Sequence, residues 1–176
     1  MFGPVQCAWW RYRRGDRAEP RVRAWLAGIR NVALDALVLT RDRHGRPHLD
    51  GDADHVDLNW SHSGDWLIAA YAEGMRVGID IELLRPRPKA LALAQRFFAP
   101  TETLRDDPAR LQRAFTRLWC AKEALLKAHG RGLSFGLEKL RFALDNDATP
   151  TLVACDAALG ATNDWRLQAW SPVPGY

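Results

Sequence analysis

Two carboxylates stand two residues apart in the run Val77-Gly-Ile-Asp-Ile-Glu82. The run reads as a short strand, because β-branched residues alternate along it and a glycine stands near its start. Residues two apart in a strand share a face, so Asp80 and Glu82 project together while Ile79 and Ile81 face the other way. Like charges placed this way repel, and a cation between them relieves the repulsion; hard oxygen ligands of this kind suit Mg²⁺. An edge strand with both acids in water meets the same spacing. Upstream, Ser61-His62-Ser63 lies between two strand-like segments, where three side-chain donors could converge on phosphate oxygens. Downstream, Trp119, Glu123 and Lys127 follow one another at i, i+4 steps along one edge of a helix, a pattern that a plain surface Glu–Lys pair also satisfies. Lys122 falls within that helix's apolar stripe of Leu111, Phe115, Leu118 and Leu125, where it must either snorkel or meet a buried anion.

The elements that position these residues follow from local signals. Aromatic-rich residues 5–12 read as an opening strand, and Pro20 and Gly28 as the start and cap of a helix over 20–28. A strand over 36–40 leads into the polar turn 41–47, which presents Arg46 between Gly45 and Pro47. An apolar strand is expected over 66–71, and the proline-rich stretch 85–88 breaks the chain before a helix over 89–98 and a short helical turn at 99–102. Asp107 as N-cap, Pro108 at the first helical position and Gly130 as terminator bracket a long helix. Strands are expected over 140–144, 151–155 and 165–170, between Asp/Asn/Gly turns.

At 176 residues the chain is long enough for one domain, or for two small halves sharing a core. Hydrophobic residues at 47% and charged residues at 26% point to a soluble globular protein. Cys7, Cys120 and Cys155 are scattered without metal-ligand spacing, as free thiols in a reducing cytoplasm would be. The first ten residues carry no signal-peptide pattern, and no apolar run reaches the roughly 18 residues of a membrane span. A net charge of +4 with pI about 9.2 suits a phosphorylated small molecule or an acidic protein partner. There is no basic tail and no nucleic-acid module.

Taken together, Gly-Ile-Asp80-Ile-Glu82, the Trp119-Cys-Ala-Lys-Glu-Ala-Leu-Leu-Lys127 helix and Ser61-His62-Ser63 resemble the 4′-phosphopantetheinyl transferases of the larger, monomeric, surfactin-synthetase-activating type. That family's pattern is Gly-[Ile/Val]-Asp followed some forty residues later by Trp-x-x-Lys-Glu-[Ala/Ser]-x-x-Lys, and both motifs fit without a gap. The resemblance runs from about Gly45 to Phe142 and takes in Gly45-Arg-Pro47, Arg96-Phe-Phe98 with Glu102, and Gly130-Arg-Gly-Leu-Ser134. Three departures stand out. The segment before Gly45 is shorter than in the best-known members, Asp65 stands where a basic residue often follows Ser-His-Ser-Gly, and Arg46 and Arg131 replace lysines.

The resemblance implies transfer of the phosphopantetheine arm of coenzyme A to a serine of an acyl or peptidyl carrier protein, with release of adenosine 3′,5′-bisphosphate. It implies an α+β fold in a pseudo-two-fold arrangement. Each of the two halves, 1–75 and 76–176, would be a helix packed on a small, mostly antiparallel sheet. It assigns Asp80, Glu82 and Glu123 to Mg²⁺, with Mn²⁺ as an alternative, and Lys127 to the pyrophosphate. Arg46, Ser61 and His62 match groups at the 3′-phosphate and adenosine end. Arg23 is a further basic candidate there, and Lys122 is a second anion-facing lysine. The catalytic set is Asp80, Glu123 and Lys127, with Glu123 as the base that takes the serine proton and Glu102 or water as alternatives. The carrier, an acidic helical bundle, would dock on a surface to which Phe97, Phe98 and residues 99–118 contribute. The protein would be a cytoplasmic monomer that binds neither nucleic acid nor membrane. The rivals are a basic module for RNA or another polyanion that uses exposed Trp and Arg, and a coenzyme A-binding relative without catalysis.

Overall fold

Hydrophobic alternation builds the first layer of the structure. The computed structural model describes residues 4–51, 55–99, 102, 108–144 and 149–176. Strands β1 (Val5–Arg11), β4 (Val56–Ser63) and β5 (Trp66–Glu73) form an antiparallel sheet in the order β1-β5-β4. One face carries Leu58, Leu67, Ala69 and Tyr71 and is covered by helix α1 (Ala18–Arg30), whose Val22 and Leu26 are fully buried one turn apart. Helix α1 runs past Gly28. Asn31, at φ 51°, caps it by donating its backbone N–H to the carbonyls of Ala27 and Gly28. The expected strand over 36–40 is a 3₁₀ turn at 34–36 followed by the short hairpin β2 (Leu39–Arg41) and β3 (Pro47–Leu49).

The second layer is a mixed core over α2 (Ala90–Phe97), α3 (Pro108–His129), β6 (Leu140–Ala143) and β7 (Thr151–Cys155). Phe98 stacks on Phe115 at 5.4 Å, and Phe115 on Trp119 at 5.7 Å, so α3 is wedged between α2 and the β6–β7 hairpin. Gly130, at φ 96°, stops α3 as expected, whereas its expected cap Asp107 lies outside the described residues. Residues 165–170 form no strand and join no ladder among the described residues. Phe98 is 3% exposed, so its place is in this core and not on a docking surface; Phe97 is half-buried against Trp119. The fold is α+β, and among the described residues no helix is long and apolar enough to cross a membrane.

Residues 77–82 join the two layers, and here the structure corrects the strand reading. The segment is extended, with Val77, Ile79 and Ile81 buried against Ile68, Ala70 and Ala72 on the second face of the first sheet, but it joins no ladder among the described residues. Side chains of β4 take the place of a partner strand. Asp57 accepts the Val77 N–H at 2.7 Å, Asn59 accepts the Ile79 N–H at 3.1 Å, and Ser63 accepts the Leu83 N–H at 3.1 Å. Successive odd-numbered residues of β4 point to one face, so they meet alternate residues of the segment in step.

Gly78 brings the segment hard against α3. A Cβ there would stand 1.9 Å from the Ala124 carbonyl oxygen and 2.5 Å from the Ala128 nitrogen. Both are backbone atoms of a helix, which cannot yield locally. Gly78→Ala is therefore expected to cost about 3 kcal/mol or more, seen as a fall in Tm of about 6–12 °C for a chain of this size. An unchanged melting curve would show that the contact is not rigid.

Candidate functional site

Three acids and one lysine meet where β4, the 77–82 segment and α3 converge. Asp80 and Glu82 alternate with the buried isoleucines; both meet serines of β4, and Asp80 also meets α3. Lys127, on the facing side of α3, places Nζ 2.6 Å from Asp80 Oδ1, 2.9 Å from Ser61 Oγ and 3.3 Å from the Ile79 carbonyl. Ser61 Oγ donates its own hydrogen bond to Asp80 Oδ1 at 2.7 Å. Glu82 Oε2 accepts from Ser63 Oγ at 2.9 Å and from Arg87 Nη2 at 2.6 Å. Each acid thus holds one serine of β4 and one cation.

Glu123 lies one helical turn before Lys127 and is half-buried. Burial pushes its carboxyl up to about 7; Lys127 pulls the other way, while Asp80 and Glu82 push it further up. An acid near 7 both accepts and releases a proton at neutral pH. Cys120 lies on the same side of α3. Burial and then the charges of Asp80 and Glu82 push its thiol well above the ordinary range, so it is no nucleophile.

A divalent cation suits these donors. Asp80 is 6% exposed, and its second oxygen, Oδ2, is buried without a hydrogen-bond partner among the described residues. The donors are hard carboxylate oxygens. They do not close around one point in this arrangement: among the described residues no three His, Cys, Asp or Glu side chains are grouped as metal ligands. Lys127 and Arg87 stand against the acids instead.

Arg46 is the site's clasp. The residue is 5% exposed, and its guanidinium donates to Asp57, to the Val77 carbonyl at 2.9 Å and to the Lys127 carbonyl. It thereby ties β4, the acid-bearing segment and the C-terminal end of α3 to one point. A cleft of about 200 Å³ opens beside it, lined by Arg41, Asn59, Trp60 and Lys127 among others. A second of about 440 Å³, lined by Arg43, Arg76, His129 and Arg131, adjoins it through His44 and Gly130.

Three residues that the sequence placed at the site lie elsewhere. His62 points to the opposite sheet face from Ser61 and Ser63, because β4 continues in register to Ser63, and it stacks on Tyr12 at 4.5 Å. The three donors of Ser61-His62-Ser63 therefore do not converge. Arg23 donates to the carbonyls of Leu34 at 3.0 Å and Leu37 at 2.8 Å and holds the 3₁₀ turn. Lys122 does not reach the cleft. It is 0% exposed, 2.6 Å from Glu102, and also bonds the carbonyls of Leu137 and Leu140. The buried-anion alternative is the one realised. Glu102 is itself 1% exposed and accepts the Ala99 and Phe142 N–H groups at 2.8 Å, so it has no path to a substrate proton. Sequence reasoning missed Arg87 and Cys120, and it offered Ser63 to phosphate oxygens where the structure gives it to Glu82. The alternation of Asp57, Asn59, Ser61 and Ser63 was a signal for the polar face of β4, whereas nothing local pointed Arg87 toward Glu82.

The sequence profile of the 4′-phosphopantetheinyl transferase superfamily matches residues 76–172. The chain belongs to that superfamily. The matched span carries Asp80, Glu82, Arg87, Glu123 and Lys127. Among curated proteins, 4′-phosphopantetheinyl transferase psf-1 of Bacillus pumilus is 36% identical over 124 residues, covering 69% of this chain and 52% of that protein. 4′-Phosphopantetheinyl transferase Sfp of Bacillus subtilis strain 168 is 34% identical over 136 residues, covering 76% and 57%. 4′-Phosphopantetheinyl transferase HetI of Nostoc sp. is 36% identical over 135 residues, covering 74% and 55%. The chain spans about half the length of the curated relatives it matches.

Two predictions separate structural from chemical roles. Lys122→Met leaves Glu102 buried and unpaired, which is expected to destabilise the fold by about 3–5 kcal/mol in denaturant titration; a loss confined to ligand affinity would contradict the core placement. Glu123, raised from 4.5 to about 7, holds a proton in the folded state that the unfolded chain has released between those values. Stability therefore falls as pH rises through that window. Glu123→Gln is expected to flatten this dependence and to raise Tm by about 2–4 °C at pH 8, and a variant that melts lower at pH 8 would remove the case for a strained carboxyl.

Proposed function

We propose that this protein transfers the 4′-phosphopantetheine group of coenzyme A to a serine of an acyl or peptidyl carrier protein, releasing adenosine 3′,5′-bisphosphate. The observation that carries the reading is the meeting of Asp80, Lys127 and a Glu123 carboxyl poised near 7 where the 77–82 segment faces α3, on the motifs shared with relatives that bear that name.

The chemistry asks four things of these residues. The serine hydroxyl attacks the phosphorus attached to pantetheine, its proton goes to the Glu123 carboxylate, and the bond from that phosphorus to the bridging oxygen breaks. Glu102 is enclosed with Lys122, which supports Glu123 as the base, with a water as the alternative. Lys127 faces the pyrophosphate and offsets charge that develops on the departing bisphosphate. Asp80, Glu82 and Glu123 would hold Mg²⁺, or Mn²⁺ in its place, which when bound neutralises pyrophosphate charge. Arg46 keeps Lys127 and the acid-bearing segment at a fixed separation, and the clefts beside it, with their arginines, offer room and positive charge for the nucleotide end. The carrier, as an acidic helical bundle, would meet a net-basic protein. The pseudo-two-fold relation of halves 1–75 and 76–176, and a monomeric cytoplasmic state, belong to the same reading.

The test is the mass of apo carrier proteins after incubation with coenzyme A, Mg²⁺ and the protein. A gain of one phosphopantetheine is expected, absent without Mg²⁺ and absent with Asp80→Ala. Coenzyme A bound but never transferred to any carrier would overturn catalysis and leave a binding relative.

A further inference from the structure

Arg87 lies outside the motifs discussed above, yet it makes the shortest contact of Glu82, Nη2 to Oε2 at 2.6 Å. Its position is built. Pro86 and Pro88 flank it and restrict the backbone on both sides. Its N–H donates to Gln112 Oε1 at 2.7 Å, and its guanidinium lies 5.9 Å from the centre of the Phe115 ring. The side chain is 20% exposed and Glu82 19%, so the pair is largely withdrawn from water. Arg87 Nε is buried without a partner among the described residues, as is Asp80 Oδ2. A guanidinium so fixed forfeits little entropy in its ion pair, unlike a free surface arginine.

Resting on the proposed cation-dependent reading, we propose that Arg87 is a resident countercharge that sets how tightly the acid site takes a divalent cation. While Arg87 holds Glu82 and Lys127 holds Asp80, the repulsion among three carboxylates is relieved without metal. A cation entering the site must take Glu82 from Arg87. An adjacent positive group opposes the entry of any other cation by the same attraction that holds the carboxylate. The consequence is a site that is weak for the free cation and strengthened when an anionic ligand arrives with it. Arg87 acts through Glu82 and so is a positioning residue, not a catalytic one.

The experiment is direct titration of Mn²⁺ into the metal-free protein without coenzyme A, with free Mn²⁺ read from its electron paramagnetic resonance signal. Arg87→Gln is expected to bind Mn²⁺ on the order of tenfold more tightly than the unaltered protein, and the gain is expected to vanish when Asp80→Asn is added. Melting curves are taken first; Arg87→Met, which keeps the stem against Phe115, replaces Arg87→Gln if that variant does not fold. Equal or weaker Mn²⁺ binding in the folded variant, or no bound Mn²⁺ in any of them, overturns the proposal. Carrier modification is measured separately: a variant with unchanged Mn²⁺ affinity beside an unaltered protein that still modifies carriers would end the countercharge reading and leave the transferase reading in place.

Discussion

At Gly78 two backbones touch without a side chain between them. The extended segment lies on the first sheet through Val77, Ile79 and Ile81, and helix α3 lies on the second core through Phe115, Leu118 and Leu126. These independently built surfaces are fixed against each other at backbone distance where the glycine meets Ala124 and Ala128. Lys127 and Asp80 are then set face to face by covalent geometry, three residues along the helix from Ala124 and two along the segment from Gly78. Arg46 adds a second point of attachment at the Lys127 and Val77 carbonyls. The spacing of the site is therefore a property of packing between layers, and its residues need little flexibility to stay in register.

Charge is balanced separately in the core and in the cleft. Lys122 and Glu102 are sealed together, and the backbone groups around them satisfy the remaining lone pairs and protons, as a buried ion pair requires. The junction between the 77–82 segment and α3 is less settled. Asp80 keeps an unpartnered oxygen, Glu123 is held near 7, and two cations stand against the neighbouring acids. Two lysines five residues apart on one helix thus have opposite fates, because one faces the sealed core and the other the junction. Unmet polar capacity in one place and full satisfaction in the other is what separates a reactive site from a structural one.

Much of this was legible from residue types and periods. The long helix was bracketed by Pro108 and Gly130, and its apolar stripe forced a choice on Lys122 that the fold resolved in one of the two stated ways. Which anion answered it was not legible, because Glu102 is twenty residues upstream and reaches Lys122 only through the packing of α2, α3 and β6. The alternation in 77–82 correctly separated isoleucines from acids, yet it could not show that the partner was a row of side chains. His62 and Arg23 were misplaced for one shared reason. A motif names residues, but the reach of β4 to Ser63 and the carbonyls of the 34–37 turn decide where they point. Residues 165–170 had a strand's composition without a strand's partner, and pairing is what a single sequence does not display.

The row of Asp57, Asn59 and Ser63 that grips residues 77–83 has a consequence for how such a site can change by descent. A backbone ladder is written in every peptide and survives almost any substitution. This one is written in side chains, so each rung can be lost, weakened or retuned by a single base change in the gene while the sheet beneath stays intact. The acid-bearing segment is therefore inherited as three separable choices, and its tension against the cleft is open to gradual adjustment in a way that the strands supporting it are not.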